Sequence, residues 1–353
     1  MENSLFTENK VLNVREISAG KTVLQSKPTA LVVTLTTRCD INCLMCEEKA
    51  IPWDIPQKTL DEVTGLFPYL EQIIWQGGEV LLLDYFEELL KKAASYPDLH
   101  QSLVTNGLRI KETILPYLVK ENMELIFSID GADQSMYERV RRGASWNTLL
   151  EKIKKVTDER QRTGPKSFAL RMHTVILKSN YRQLESFIDF AHEHSFDAIH
   201  LMPIWGNTKS EENIFFRKDR EALSFIEKTL PAVREKAKKY GLNLLNSLPE
   251  TNKEKSKTDD KELPSKKEEK KISKGLLCHM PWKRIVINPA GFVCPACHCR
   301  SMAGNVLEES LLEIWNNSKM QDYRKKILTG KAEDLCSDSC IRGFISPDLR
   351  GLK

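Results

Sequence analysis

Short apolar runs alternate with longer amphipathic segments through the first two thirds of the chain. The apolar runs are rich in Val, Ile and Leu and nearly continuous, which is typical of strands buried on both faces of a parallel sheet. The segments between them repeat apolar residues at helical spacing, as in Tyr181, Leu184, Phe187, Ile188 and Ala191. The strands that this pattern predicts are Leu31–Thr36, Gln72–Trp75, Gln101–Thr105, Leu125–Ile129, Phe168–Leu177 and Ala198–Met202.

Successive strand–helix units of this kind predict an α/β fold, either a parallel barrel or a doubly wound sheet. Six units are fewer than the eight that close a full barrel. We therefore expect a partial (β/α)6 TIM-like barrel over residues 31–250, after an N-terminal extension over residues 1–30. Residues 251–274 are dominated by Lys, Glu, Asp and Ser, which predicts a solvated linker, because they bury too little apolar surface to offset their ordering entropy. A small cysteine-rich module over residues 275–353 follows.

Composition and charge narrow the class of protein. The formal net charge is +4 over 353 residues, with 41% hydrophobic and 29% charged residues. These values are ordinary for a soluble globular protein and give no reason to expect nucleic acid or a membrane surface as partner. No apolar run approaches the roughly 20 residues that span a bilayer, and residues 1–21 lack the apolar core of a secretory signal. We expect a cytoplasmic protein.

The nine cysteines stand in two groups near the two ends of the chain. An odd number of clustered cysteines favours metal binding over disulfides. The first group is Cys39, Cys43 and Cys46, a C-x3-C-x2-C loop directly after the first predicted strand. Three thiolates in one short loop can hold three irons of a [4Fe–4S] cubane and leave the fourth iron open to an external ligand. A structural zinc site is the alternative, but zinc usually closes with four protein ligands, so the spacing favours iron.

This loop and the strand ends that follow resemble the radical S-adenosylmethionine (SAM) superfamily. The resemblance implies that the open iron chelates SAM and that reductive cleavage gives a 5′-deoxyadenosyl radical, which abstracts hydrogen from the substrate. Gly77, Gly78 and Glu79 resemble the family's Gly-Gly-Glu motif, which receives the methionine amino group, although Val80 stands where relatives usually have proline. Polar groups at the carboxyl ends of strands are where an α/β sheet binds its ligand. The SAM contacts implied are Gln76, Gly77, Gly78, Glu79, Asn106, Ser128, Asp130, Arg142, Arg171 and Met202.

Among these, Ser128 resembles the residue that meets the ribose or carboxylate, and Met202 lies where relatives hold the adenine. Arg171 and Arg142 are two candidates for the SAM carboxylate. His173, on the same predicted strand as Arg171, is expected to have a structural role, as is His200.

The C-terminal module resembles the auxiliary-cluster extensions called SPASM (full) or twitch (half). Pro281-Trp282 and the Glu313-Ile314-Trp315-Asn316 segment carry the resemblance together with its cysteines. One fully ligated cluster needs four thiolates. The preferred set is Cys278, Cys297, Cys336 and Cys340, with Cys294 and Cys299 left open. Two clusters, with His279 or His298 contributing, are one alternative, and a zinc ribbon is another.

The resemblance implies a radical SAM enzyme with an auxiliary cluster and an electron donor such as flavodoxin or ferredoxin. The motifs Trp75–Glu79 and Ser128–Gly131 resemble those of the family's peptide-modifying branch. This resemblance favours a peptide or protein substrate, with oxidation, crosslinking or epimerisation as the outcome. Against this, residues 1–30 leave no room for the leader-peptide reader of many peptide maturases. The alternatives are a dehydrogenase or epimerase of a sugar alcohol or aminoglycoside-like molecule and, more remotely, a non-catalytic zinc-binding or redox-sensing protein. An epimerase would need a thiol hydrogen donor, for which Cys294 or Cys299 is the candidate.

Overall fold

The structure is a computed structural model that describes residues 4–46, 52–204, 210–249, 278–296, 299–331 and 335. The chain divides into two compact units. Unit 1 takes its described residues from Met1–Val32, Pro56–Glu71 and Asn252–Lys353, and unit 2 from Val33–Ile55 and Gln72–Thr251. Among the helices of this described part, none is both long enough and apolar enough to span a membrane.

Helices and strands alternate along most of the described chain. The strands are β1 (Ala30–Thr34), β2 (Asn42–Cys43), β3 (Gln72–Gln76), β4 (His100–Thr105), β5 (Met123–Ser128), β6 (Arg141–Arg142), β7 (Ala169–Val175), β8 (Ala198–Met202), β9 (Asn243–Asn246), β10 (Arg284–Ile287), β11 (Phe292–Cys294) and β12 (Gly304–Asn305). The helices are α1 (Leu5–Ser18), α2 (Gln57–Gly65), α3 (Phe86–Ala94), α4 (Leu115–Leu118), α5 (Gln134–Val140), α6 (Trp146–Thr163), α7 (Leu184–Glu193), α8 (Ile214–Arg217), α9 (Arg220–Lys239), α10 (Met280–Lys283), α11 (Leu311–Asn316) and α12 (Ser318–Leu328).

Unit 2 is built on a parallel sheet in the strand order β3-β4-β5-β7-β8-β9. Helices connect most of these strands, as parallel pairing requires. The predicted fold class, an α/β partial barrel, is confirmed, and each of the six predicted strands overlaps an observed one. The strand β9 was not predicted, because its four residues begin and end in asparagine and give no apolar run.

The two faces of this sheet differ in polarity. Trp75 packs edge-on against an aromatic ring of α3, and Phe127 packs in the same way against Phe196, with ring centroids 6.0 and 6.1 Å apart. The Phe196 ring in turn lies 6.4 Å from that of Phe190 on α7. Trp75 and Phe127 therefore face the helices. Since neighbouring residues of a strand point to opposite faces, Gln76 and Ser128 face the other side, which is the lumen of the partial barrel.

Unit 1 contains the N-terminal helix α1, which hydrophobic periodicity did not predict. The side chains that α1 buries are Asn9, Asn13 and Glu16, all polar. Asn13 donates to the Trp282 carbonyl at 2.6 Å, and the Glu16 carboxylate accepts from the Ser26 amide at 3.0 Å. A helix that is held by hydrogen bonds rather than by an apolar stripe gives no signal in a hydrophobic pattern.

Candidate functional site

The loop that carries Cys39, Cys43 and Cys46 is fixed in place by backbone pairing and by apolar contacts. β2 pairs with β6 in antiparallel register, which places Cys43 opposite Arg141. Leu44 and Met45, between the second and third cysteines, pack against a buried apolar cluster. Cys39 and Cys43 are half-buried, whereas Cys46 is exposed. The three thiols thus lie on one anchored loop that remains open to solvent at its end.

The glycine pair after β3 packs directly on the backbone that leads into Cys39. The Gly78 amide donates to the Thr36 carbonyl at 2.7 Å. A Cβ atom at Gly77 would lie 2.4 Å from the Thr36 oxygen, and one at Gly78 would lie 2.2 Å from the Arg38 oxygen. Real Cβ atoms do not approach backbone oxygens so closely, so both positions require glycine. The Gly-Gly sequence is therefore part of the scaffold of the cysteine loop.

Glu79 connects this glycine pair to the end of β4. Its carboxylate is completely buried and accepts from the Thr105 hydroxyl at 2.8 Å and the Asn106 amide at 2.7 Å. Burial raises the pKa of Glu79 to about 7, and the hydrogen bonds from Asn106, Leu81 and Thr105 oppose that shift. The predicted contact of this motif with a methionine amino group stays a prediction.

Asp40, which was not identified from the sequence, accepts a hydrogen bond at each of its two carboxylate oxygens. The Asn106 side-chain amide donates to its Oδ1 at 2.9 Å, and Arg109 Nε donates to its Oδ2 at 2.7 Å. Asn106, predicted as a SAM contact, thus fixes the residue next to Cys39. A carboxylate that follows a predicted ligand cysteine is the only sequence signal for Asp40.

A buried ion pair lies beside Cys43. Asp130 accepts from the Val175 amide at 2.7 Å, and its Oδ2 lies 2.7 Å from Arg141 Nη2. Arg141 Nη1 lies 3.9 Å from Cys43 Sγ. Burial raises the pKa of the Cys43 thiol, and the Arg141 guanidinium opposes this shift. The sequence pointed to Asp130 and to Arg142, but not to Arg141.

Two buried donors near Cys43 have no acceptor among the described residues: Arg141 Nε and the Tyr137 hydroxyl. Tyr137 is close enough to Cys43 for their charges to interact. A buried donor without an acceptor costs about 1–3 kcal/mol. A sulfur-rich, negatively charged cluster would supply such acceptors. The environment of Cys43 therefore fits an iron–sulfur cluster.

The thiols do not converge on a single ion. Nowhere in the described ranges do three Cys, His, Asp or Glu side chains approach closely enough to hold one metal ion. The three thiols are nevertheless close enough for their charges to interact. Because a cubane takes each cysteine on a different iron, this loop can hold three irons of a cluster.

An open cleft of about 910 Å³ lies next to Cys39 and is bounded by Asn42, Leu82 and Arg142. Arg142 is exposed, and its backbone pairs with Asn42 through β6 and β2. Within the described ranges its guanidinium forms no ion pair. A cation at this position is suited to an anionic group of a ligand.

Arg171, the other predicted carboxylate ligand, lies in the amino-terminal half of β7. Its Nη2 is 2.7 Å from Glu124 Oε1, and Glu124 also accepts from the Ser102 hydroxyl at 2.9 Å. Arg171 therefore already has an anionic partner, away from the strand ends where the cysteine loop lies. Of the two arginines, Arg142 is the one that lies at the cleft and could meet an anionic group there.

Polar side chains form a row across the lumen face of three strands. Ser128 of β5 is in register with His173 of β7, which is in register with His200 of β8. The two imidazole rings are 5.1 Å apart, and His200 Nε2 lies 2.7 Å from Ser247 Oγ. Burial keeps the pKa of His173 well below its usual value, so this ring is neutral at pH 7. Met202 ends β8 beside this row.

Three of the six C-terminal cysteines lie among the described residues. Cys294 is buried and donates to the Ala296 carbonyl at 3.3 Å, and the Cys299 amide donates to the same carbonyl at 3.1 Å. The Arg300 amide donates to the Leu335 carbonyl at 2.9 Å, so the turn that carries Cys299 lies beside the residue preceding Cys336. Cys278 is half-buried. Cys297, Cys336 and Cys340 lie outside the described residues, as do His298 and the predicted linker over residues 251–274.

Two family models match this chain. The model of the radical SAM superfamily matches residues 33–191, and the SPASM model, an iron–sulfur cluster-binding domain, matches residues 278–341. The first match contains the cysteine loop, the glycine pair, Asp130 and Arg142. The second contains all six C-terminal cysteines.

The curated relatives are distant. The tungsten-containing aldehyde ferredoxin oxidoreductase cofactor-modifying protein of Pyrococcus furiosus is 25% identical over 49% of this chain and 52% of its own length. The GTP 3′,8-cyclase of Clostridium perfringens is 24% identical over 55% of this chain and 64% of its own. The chain thus spans less than two thirds of either protein. The AdoMet-dependent heme synthase of Methanosarcina barkeri is 24% identical over 86% of this chain and 85% of its own.

Solved structures share the fold. SuiB of Streptococcus suis, bound to its precursor peptide SuiA, superposes with a TM-score of 0.63 at 18% identity, covering 90% of this chain and 70% of that one. The structure of anSMEcpe with bound AdoMet gives a TM-score of 0.58 at 15% identity, covering 86% of this chain and 81% of that one. At these identities the likeness is one of fold.

Proposed function

Because the chain belongs to the radical SAM superfamily and carries a SPASM domain, we propose that it abstracts hydrogen from a peptide or protein substrate after reductive cleavage of SAM. The outcome would be an oxidation, a crosslink or an epimerisation, assisted by an auxiliary cluster. The observation that carries the proposal is the three-cysteine loop, which is anchored on Gly77 and Gly78 beside an open cleft.

SAM and [4Fe–4S] clusters are the cofactors of such an enzyme. Cys39, Cys43 and Cys46 would hold the SAM-binding cluster, and Arg142 would pair with the SAM carboxylate in the cleft. When bound, the cluster supplies the electron that breaks a C–S bond of SAM and so generates the radical that abstracts hydrogen.

The protein's own part is to position and to shield. Asp40, fixed by Asn106 and Arg109, holds the start of the loop. Leu44 and Met45 pack against an apolar cluster and would limit the access of water on that side of the loop. Ser128, at a strand end on the lumen face, would meet the ribose or carboxylate of SAM, and Met202 would lie beside the adenine.

The choice of a peptide or protein substrate rests on fold neighbours. SuiB binds a precursor peptide and anSMEcpe has been solved with peptides, and both share this fold. The relatives named as GTP 3′,8-cyclase and AdoMet-dependent heme synthase favour a second candidate, a small-molecule substrate. The polar lumen row at Ser128, His173 and His200 suits either class of substrate. Its hydroxyl and imidazole groups can form hydrogen bonds with a peptide or with a small polar molecule.

The enzyme class is tested by reconstituting the protein anaerobically and assaying dithionite-driven formation of 5′-deoxyadenosine. The parent is expected to form it, and a variant with Cys39, Cys43 and Cys46 all replaced by alanine is expected to form none. Product formation by that triple variant, or zinc in place of iron in the parent, would overturn the proposal.

The substrate class is tested separately, beginning with a short precursor reading frame beside the gene. The encoded peptide is expressed with the parent and, as a matched control, with the triple cysteine variant. A mass change that requires the three cysteines supports a peptide substrate. An unchanged peptide, together with faster 5′-deoxyadenosine formation on addition of a polyhydroxylated small molecule, favours the second candidate.

A further inference from the structure

Arg141 is a buried cation that the cosubstrate contacts proposed above do not use. Only 8% of its side chain is exposed, and its ion-pair partner Asp130 is completely buried. A buried arginine is expensive to desolvate unless each edge of its guanidinium meets an acceptor. A donor of Arg141 that lacks an acceptor among the described residues therefore indicates that a bound group supplies one.

The Asp130 carboxylate forms an ion pair with only one edge of Arg141. Asp130 is itself fixed, because its Oδ1 accepts from the Val175 amide at 2.7 Å. Its Oδ2 lies 2.7 Å from Arg141 Nη2 in an ion pair, which leaves Nη1 and Nε for other acceptors. Nη1 lies 3.9 Å from Cys43 Sγ, and Nε finds no acceptor in the described part of the chain.

Backbone pairing holds the Arg141 guanidinium close to the Cys43 sulfur. Cys43 and Arg141 are opposite each other in the β2–β6 pair, and the Leu44 amide donates to the Val140 carbonyl at 2.9 Å. A residue opposite the central cysteine in a strand pair cannot move away from it without breaking that pair. Arg141 is therefore held toward Cys43 from the backbone and from its side-chain partner.

We propose that Arg141 is a positioning and charge-tuning residue that donates a hydrogen bond to the Cys43 sulfur of the cluster and raises the reduction potential of that cluster. The inference rests on the proposed cluster at Cys39, Cys43 and Cys46. Hydrogen bonds to cluster sulfurs and nearby positive charge stabilise the more negative, reduced state. The residue thus makes it easier to place on the cluster the electron that SAM cleavage consumes.

The test is a redox titration of the SAM-responsive [4Fe–4S] signal, followed by electron paramagnetic resonance. Arg141→Met removes charge and donors. At the poise where half of the parent cluster is reduced, we expect about a tenfold lower ratio of reduced to oxidised cluster in this variant, equivalent to about 59 mV for one electron. Arg141→Lys keeps the charge but lacks the planar fork, so we expect a smaller shift in the same direction.

Arg139→Met is the matched control, since Arg139 lies on the same helix–strand segment but is exposed. The reduction potential of the cluster in this variant should equal that of the parent. Equal midpoints for Arg141→Met and the parent would overturn the inference. If Arg141→Met does not fold, as judged by circular dichroism, Arg141→Lys decides: a shift supports the inference and an unchanged midpoint overturns it. A parent without a SAM-responsive signal would instead be a failure of the proposed function.

Discussion

At the scale of single residues, Gly78 allows the backbone before Cys39 to pack closely against the end of β3. Its missing side chain leaves room for the Arg38 carbonyl, which a Cβ would approach to 2.2 Å. We expect Gly78→Ala to destabilise the protein by about 1–3 kcal/mol, as overpacking does, and to reduce the iron bound at the loop. Thermal unfolding and iron analysis measure both effects.

Gly65→Ala is the control for this substitution. A Cβ at Gly65 would meet nothing within 4 Å, and the residue ends helix α2, so alanine there should be neutral or slightly stabilising. Full iron content and an unchanged melting temperature in Gly78→Ala would show that the predicted clash is relieved by movement of the loop.

Glu79 predicts a dependence of stability on pH. Its pKa rises from the ordinary 4.5 to about 7 in the folded protein. Below pH 4.5 the carboxyl is protonated in the folded and unfolded states alike, and between 4.5 and 7 only the unfolded state ionises. The free energy of unfolding therefore falls by about 3 kcal/mol across that window.

Denaturant titrations of the cluster-free parent and of Glu79→Gln check this prediction. The difference in free energy of unfolding between parent and variant should fall as the pH rises from 4.5 to 7 and then level off. A difference that stays constant over this range would mean that Glu79 ionises normally in the fold.

At the scale of elements, Arg324 fixes helix α12 within unit 1. Its buried guanidinium donates to the carbonyls of Thr22, Pro281 and Trp315 at 2.8, 2.9 and 2.7 Å. It also stacks over the Trp315 ring at 4.6 Å. Arg324→Met would leave these carbonyls buried without donors, so we expect a loss of about 3 kcal/mol or more of stability.

The melting temperature of the apoprotein measures the effect of Arg324→Met. Lys325→Met, on the same helix but exposed, is the control and should change stability little. Similar melting temperatures for the two variants would mean that water replaces the lost donors.

The elements themselves were predictable to different degrees. The six predicted strands were found because buried parallel strands are continuous apolar runs. α1 was missed, because its buried side chains are polar and its hydrogen-bond partners come from distant parts of the sequence. Trp282 and Trp315, which carried the resemblance to SPASM domains, are fully buried in unit 1.

At the scale of the whole molecule, the cysteines divide between the two family matches, which predicts how iron is distributed. The reconstituted parent should contain about eight irons with one auxiliary cubane or about twelve with two. In either case the triple alanine variant of Cys39, Cys43 and Cys46 should lose about four and keep the rest. Loss of all iron in that variant would show that the C-terminal cysteines do not bind a cluster on their own.

The sequence by itself determined the family, the fold class and the three-cysteine loop, because these depend on local spacing and on periodic burial that can be read along the chain. Only the tertiary structure decided which side chains support the loop. Asp40 meets Arg109 and Cys43 meets Arg141 across 69 and 98 residues of sequence. Likewise, Arg142 lies in the cleft whereas Arg171 is paired with Glu124. Contacts between distant residues depend on strand register and crossover connections, for which a single sequence carries no local signal.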